Sequence, residues 1–374
     1  MAVLRPAGDF DRSYEQDMSV LRKRWQYVVL FIGLAALFLL PAYSPESTVS
    51  FVNRVLIAII AVQGLNILTG YTGQISLGQA AFMTVGGYAS TLLVTQLGWN
   101  FFFALPVAAL SAGIVGLIFG LPSLRVKGFY LVMATLSAQF IIPWITRNIY
   151  GDVLNGAQGL NVPVPIIKLP VINNLCFFGT QFDGQLGACI YRFATPDQFI
   201  HISLVIVILS TIVAHNISRS RLGRALISIR DNDLAAELLG IDPFAYKLKA
   251  FFIAAVFAGA AGSLLAHNLR HINSETVNLT DSILFMGMLV VGGLGTSLGP
   301  IFGATLVILL EEIATVISPW VISLLPDNAA GATAALRPLI FGLALILFLI
   351  FEPRGLAHRW KLTKAAWRLR PFSR

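Results

Sequence analysis

Charge is what this chain has least of. Asp, Glu, Lys and Arg together make up 12% of its 374 residues, against about 25% in soluble globular proteins. With 56% of the residues hydrophobic, a water-soluble fold of this length would lack the polar groups to cover its surface. Intrinsic disorder, which needs low hydrophobicity and high charge, is excluded as well. From Val55 to Leu124 there is no acidic or basic residue at all, which leaves room for about three spanning helices at about 20 apolar residues each. Cysteine is nearly absent, with only Cys176 and Cys189, and no cysteine or histidine spacing matches a metal site. No Gly-Lys dipeptide occurs anywhere, so there is no phosphate-binding loop of the Gly-x-x-x-x-Gly-Lys-Ser/Thr kind. This chain cannot itself supply an ATPase of that type.

What is present reads as an all-α, polytopic helical membrane protein. Ten apolar segments stand out: Tyr27–Leu40, Phe51–Thr69, Ala80–Leu97, Phe102–Leu121, Phe129–Thr146, Phe199–Asn216, Ala250–Ala266, Ile283–Gly293, Pro300–Ile317 and Pro338–Phe351. The first and eighth are short for a full crossing and are expected to be extended or re-entrant. The net charge of +8 sits at the flanks: Met1 to Arg24 holds five basic and four acidic residues, and Glu352 to Arg374 seven basic and one acidic. That placement follows the positive-inside rule and leaves no interleaved basic and aromatic patch for nucleic acid. With Arg22, Lys23 and Arg24 inside, alternation puts Arg125, Lys127, the basic 219–249 loop and the C-terminal tail on the same side. Residues 1–24 then form a cytoplasmic tail, 25–351 the transmembrane domain, and 352–374 a second cytoplasmic tail. Loop 148–198 lies outside and loop 218–249 inside. The first apolar segment ends at Leu40-Pro41 without a small-x-small cleavage site, so it reads as a retained helix rather than a signal peptide. Cys176 and Cys189 share the outside loop, where a bridge and two small packed side chains are both open readings.

Glycine interrupts two of the hydrophobic regions. The first run is Gly70-Tyr71-Thr72-Gly73-Gln74-Ile75-Ser76-Leu77-Gly78-Gln79, and the second contains Gly287, Gly292, Gly293, Gly295, Gly299 and Gly303. A helix broken in lipid leaves backbone groups without partners, so such breaks face protein or an aqueous cavity. Matched interruptions in two repeat-like halves mark the transport path of repeat-built carriers. Close helix packing on glycine is the competing explanation. Gln74, Ser76 and Gln79 add polar side chains at the first break and favour a path there, with Gly73 beside them and Gly292, Gly293 and Gly295 at the second break. Glu311 and Glu312 are the one acidic pair inside a segment; a coupling carboxylate for proton-driven transport is one reading, and a position near the interface or packed against a hydrogen-bond partner is the favoured one. His201 and His215 are expected near the interfaces, and His267, Arg270 and His271 in solvent outside.

The segment Ser218–Phe251 is the most informative. Asp231 or Asn232 can cap a helix start, and Gly240 can end it in the left-handed conformation. Leu234 and Leu238 fall on one face of the two turns between them. A helix so short is marginal alone in water and calls for a protein partner.

At these residues the chain resembles the inner-membrane permease subunits of ABC importers for branched-chain amino acids. The matching stretches are Gly70–Gly78, Lys127–Leu131, Arg224–Gly240 and Val291–Pro300. They run in order from the second segment to the ninth. The resemblance implies a second homologous permease subunit, two ATP-binding subunits inside and a periplasmic substrate-binding protein outside. The chain itself would need no cofactor, since ATP is bound by the partners. The resemblance implies, too, that Asp231–Gly240 docks on an ATP-binding subunit, with Arg224, Arg230, Asp231, Asp233 and Glu237 supplying charge and Ala235 and Ala236 allowing close approach. Two positions depart from the family pattern. Asp233 stands where Glu is more common, and Gln79 where His is common. A stand-alone ion-coupled carrier would need an ionisable cluster within the spans, and a membrane enzyme would need paired acids, metal ligands or a nucleophile with its base. Glu311 and Glu312 aside, the apolar segments offer neither set.

Overall fold

The computed structural model describes residues 24–124, 130–149, 151–156, 158–169, 181–183, 188–193, 195–324, 329–352 and 354–369. Fourteen α-helices account for most of them: α1 (Arg24–Leu39), α2 (Glu46–Leu65), α3 (Gln79–Thr95), α4 (Phe101–Leu124), α5 (Tyr130–Asn148), α6 (Gly151–Leu154), α7 (Pro196–Arg219), α8 (Arg221–Asp231), α9 (Asp233–Leu238), α10 (Pro243–Leu269), α11 (Leu279–Gly292), α12 (Gly299–Leu324), α13 (Ala329–Phe351) and α14 (Leu356–Leu369). Every apolar segment of the sequence overlies one of these helices. Among the described residues, five stretches are each long and apolar enough to cross a membrane: Glu46–Gly70, Phe101–Pro122, Pro196–Arg219, Pro243–Leu269 and Gly299–Pro319. Phe31–Ala42 and Leu279–Gly292 are apolar but shorter, as their segment lengths foretold. The protein is a multi-pass helical membrane protein.

Short strands add what the hydrophobic pattern does not disclose. β1 (Leu160–Asn161) pairs antiparallel with β5 (His271–Ile272), and β2 (Ile166–Leu169), β3 (Gln181–Asp183) and β4 (Ala188–Arg192) form a small sheet in the order β2-β4-β3. Cys189 lies in β4, whereas Cys176, and with it any bridge between the two, lies outside the described residues.

The chain divides into two compact units, one spanning residues 46–286 and the other made of the flanking segments. In the central unit α10 packs against α2, α3 and α4. Residues 55–72 are buried without interruption, which suits a helix that is apolar on all sides. Two of its polar side chains reach across to a neighbour: the Asn53 amide donates to the Pro196 carbonyl at 3.0 Å, and the Gln63 amide to Thr211 Oγ1 at 2.6 Å, joining α2 to α7. Small residues set the close crossings. A Cβ on Gly86 would meet the backbone of Gly259, and one on Gly262 the backbone of Met83, so α3 and α10 touch main chain to main chain.

One expected surface residue is internal. His267 is buried rather than in solvent, with its Nδ1 2.9 Å from the Ser263 carbonyl and its ring 4.4 Å from that of Phe101. Arg270, one turn on, ends α10 in the left-handed conformation and is exposed, and His271 starts β5.

Candidate functional site: the helix break and the cytoplasmic loop

The first glycine run does break a helix. α2 passes into a π-helical turn, Asn66–Gly70, and after Tyr71 and Thr72 the chain is non-helical from 73 to 78 before α3 begins at Gln79. Gly73 takes φ of +72°, a left-handed conformation that suits glycine. Three backbone donors at the break find partners on other helices. Leu77 N–H donates to Thr135 Oγ1 at 3.1 Å, Ala80 N–H to Ser282 Oγ at 2.9 Å, and Ala81 N–H to Gln139 Oε1 at 3.0 Å. The start of α3, with the unpaired donors that any helix N-terminus carries, is thereby held by side chains of α5 and α11.

The four residues expected to line a path at this break are not alike. Gly73 is exposed and Gln74 half-buried, with Gln74 Oε1 inaccessible and without a hydrogen-bond partner. Ser76 and Gln79 are both buried, and the Gln79 amide donates to the Ala61 carbonyl at 2.7 Å, bracing α3 against α2. Gln79 thus acts on the helix frame, whereas Gly73 lies at the surface of the break beside Arg230.

The 219–249 loop folds as two helices where one was expected. Ser220 Oγ accepts from Gly223 N–H at 3.3 Å to start α8, whose Ala225, Leu226 and Ile229 are buried. Asn232, not Asp231, caps α9, its Oδ1 accepting from Ala235 N–H at 3.0 Å. At the other end Gly240 has φ of +81°, Gly240 N–H donates to the Glu237 carbonyl at 2.9 Å, and Ile241 N–H to the Ala236 carbonyl at 3.0 Å. These two crossed bonds are the Schellman closure of a helix. Asp233 Oδ2 lies 2.6 Å from Lys247 Nζ, which pins α9 to the start of α10. Arg224 is exposed, with Nη1 donating to the Arg219 carbonyl at 2.9 Å, and Ala235 and Glu237 are exposed too. Ala236 differs from its neighbour: it is 1% exposed and turned into its own chain, so it is not available for close approach by a partner. The outward apolar face of α9 is leucine, with Leu234 63%, Leu238 89% and Leu239 80% exposed.

Gly240→Val should misplace this face, because a β-branched residue resists the left-handed conformation, whereas Gly240→Asn should be tolerated. Uptake assays on the two variants at equal membrane levels are expected to show a large loss for Val and near-normal activity for Asn.

Arg230 brings the break and the loop together. It is the penultimate residue of α8, and its Nη1 donates to the Gly70 carbonyl, the last of the π turn, at 2.8 Å. Its Nε and Nη2 hold Asp231 Oδ1 at 3.2 and 3.1 Å. A Cβ on Gly73 would come within 3.1 Å of Arg230 Cγ. One guanidinium therefore contacts the broken transmembrane helix and the last residue of α8, next to the cap of α9.

Comparison with known proteins decides the family. The model of the branched-chain amino acid transport system, permease component, matches residues 47–349. The chain belongs to this family. Among its relatives, the high-affinity branched-chain amino acid transport system permease protein LivM of Escherichia coli K12 is 28% identical over 341 residues, covering 89% of this chain and 75% of that protein. LivM of Salmonella typhimurium LT2 is 27% identical, with 90% and 75% covered. A probable branched-chain amino acid transport permease protein LivH of Methanocaldococcus jannaschii is 25% identical, with 69% and 76% covered.

In this branched-chain permease chain the second glycine run has a different character from the first. Gly293 and Gly295 take φ of +112° and +70° in the turn between α11 and α12. A Cβ on Gly292 would strike the Gly299 carbonyl, and one on Gly303 the Met288 carbonyl. Gly355, between α13 and α14, lies so close that its Cβ would reach Gly293 Cα at 2.5 Å. Thr296 Oγ1 closes the turn, donating to the Gly293 carbonyl at 2.8 Å and accepting from Gly299 N–H at 3.1 Å. The contacts of Gly292, Gly293 and Gly299 are those of a tight hairpin. Glu311 and Glu312 are half-buried in α12.

Proposed function

We propose that this chain is the membrane-spanning subunit of an ATP-driven, binding-protein-dependent importer for branched-chain or related small amino acids. It would share its translocation path with a second homologous permease, sit in the bacterial inner membrane with both termini cytoplasmic, and take its energy from two ATP-binding subunits. Basic residues cluster on one side under alternation of the apolar helices, which supports that orientation. The observation that carries the reading is the outer face of α9. Leu234, Leu238 and Leu239 stand exposed on a helix closed at both ends. Burying each would contribute about 1.5–3 kcal/mol, which a docked partner supplies and water does not. The link from Arg230 to Gly70 then offers a route by which movement of α9 reaches the broken helix.

The test is reconstitution in vesicles with and without the ATP-binding subunits. Uptake of leucine should require those subunits and ATP. The double substitution Leu238→Ser, Leu239→Ser should insert normally and abolish solute-stimulated ATP hydrolysis together with uptake. Uptake by the permease without any ATPase would instead establish a stand-alone carrier.

A further inference from the structure

A cavity of about 670 Å³ opens in the central unit between α5 and the segment leading into α11. Its size falls within the range of about 300–1,000 Å³ usual for small-molecule sites. α10 has 27 residues and separates this cavity from α9, a distance of about 40 Å at 1.5 Å per residue. The lining is divided by chemistry. Phe140, Pro143, Trp144 and Arg147 lie along one face of α5, apolar for its first three residues and ending in the guanidinium, and Glu275 and Asn278 come from the segment opposite. Arg147 Nη2 lies 2.5 Å from Glu275 Oε1 and 3.3 Å from Ser274 Oγ. The buried Gln139 also lines it, and this is the side chain that receives Ala81 N–H at the start of α3 and Ser282 Oγ–H at 3.2 Å. The cavity thus borders the hydrogen bonds that hold the broken helix.

Two features point to the ligand. The side chains of Arg147 and Glu275 are 44% and 75% exposed, and an ion pair so open to water is held weakly. A solute carrying one charge could enter only by leaving one of the two without a counter-charge. A solute carrying both, set a short distance apart, gives each a new partner: its carboxylate to the guanidinium, its ammonium to the Glu275 carboxylate. The adjoining wall of Phe140, Pro143 and Trp144 then meets an apolar side chain.

We propose that this cavity is an acceptor site for a zwitterionic, apolar amino acid, with Arg147 binding the carboxylate and Glu275 the ammonium. The assignment rests on the transport reading above and locates a binding step within it.

The test uses the assembled importer in lipid nanodiscs and L-leucine as probe. Cysteine at Asn148, which lines the cavity, is labelled with a charged methanethiosulfonate and followed by mass spectrometry of that peptide. L-leucine should slow labelling, whereas leucinamide and 4-methylpentanoate, each missing one charge, should not. Arg147→Gln should weaken protection by L-leucine about tenfold, as loss of a charge-assisted contact predicts, and raise the KM for uptake with less change in kcat. The exchange Arg147→Glu, Glu275→Arg keeps an ion pair but reverses it against the apolar wall, so it should leave the fold intact and uptake impaired. Absence of protection by L-leucine, or full uptake by the exchanged pair, would overturn the assignment and make the pair a tether. Leucine uptake by the wild-type complex is measured alongside: its absence defeats the transport reading, while its presence without protection defeats the cavity alone.

Discussion

Replacing Arg230 by alanine is expected to reduce uptake by about tenfold or more while the protein still reaches the membrane at normal levels. A hydrogen bond from a charged donor is worth about 1.5–3 kcal/mol, and here it spans from α8 to the Gly70 carbonyl at 2.8 Å. Without it the π turn and the cytoplasmic helices can move independently. Arg230→Lys should be intermediate, since an ammonium can reach the carbonyl but cannot hold Asp231 with the same fork. Gly73→Leu should resemble Arg230→Ala, because its side chain must occupy the space of Arg230 Cγ and strain a left-handed backbone. Combining the two should cost less than the sum of the parts, as expected for residues acting through one contact. Whole-cell uptake with immunoblotting of the membrane fraction checks each case. Wild-type uptake in Arg230→Ala would show that the link is incidental.

Gly262→Leu is expected to remove folded protein from the membrane altogether. A Cβ at Gly262 would collide with the carbonyl oxygen of Met83 and lie 2.7 Å from its Cα. These are main-chain atoms of the facing helix, so no rotamer change relieves them. α3 and α10 would have to separate along a seam that includes the Gly86 and Gly259 crossing. Domains are stable by about 5–15 kcal/mol, and overpacking alone costs about 1–3 kcal/mol where neighbours can adjust. Gly33→Ala is the matched control: nothing lies within 4 Å of its Cβ position in α1, so it should be neutral or gain up to about 1 kcal/mol of helix propensity. Fluorescence-detected size-exclusion chromatography of tagged variants separates the two outcomes. A monodisperse, normally abundant Gly262→Leu protein would contradict the crossing.

Local chemistry was readable where it depended on neighbours in the chain. The break after Gly70, the cap at Asn232 and the left-handed stop at Gly240 are each written within about ten residues of sequence, and each is in the structure. What could not be read depends on partners far away in sequence. Arg230 and Gly70 are 160 positions apart, and no periodicity connects them. Ala235 and Ala236 are chemically identical in sequence, yet one faces out and the other in, because only the packing of α9 on α8 and α10 distinguishes them. His267 looked like a solvent residue at a helix end, and its burial comes from Phe101, on another helix. α8 was overlooked because its charges and Gly223 obscure the short apolar stripe of Ala225, Leu226 and Ile229. The two glycine runs looked equivalent, but the first leads into a helix start whose donors are captured by other helices, whereas Gly292, Gly299 and Gly303 of the second bring backbone against backbone.

The leucines of α9 carry a consequence for how the protein has to be made. A subunit that leaves the ribosome with Leu234, Leu238 and Leu239 in water presents an adhesive patch to every other copy of itself, and such patches drive aggregation when nothing covers them. Overproduction of this chain by itself should therefore yield clustered material, and the yield of dispersed protein should rise with the dose of the partners synthesised beside it. If α9 docks on a partner subunit as proposed, balanced translation of the two becomes a requirement that the surface of one short helix imposes on the cell.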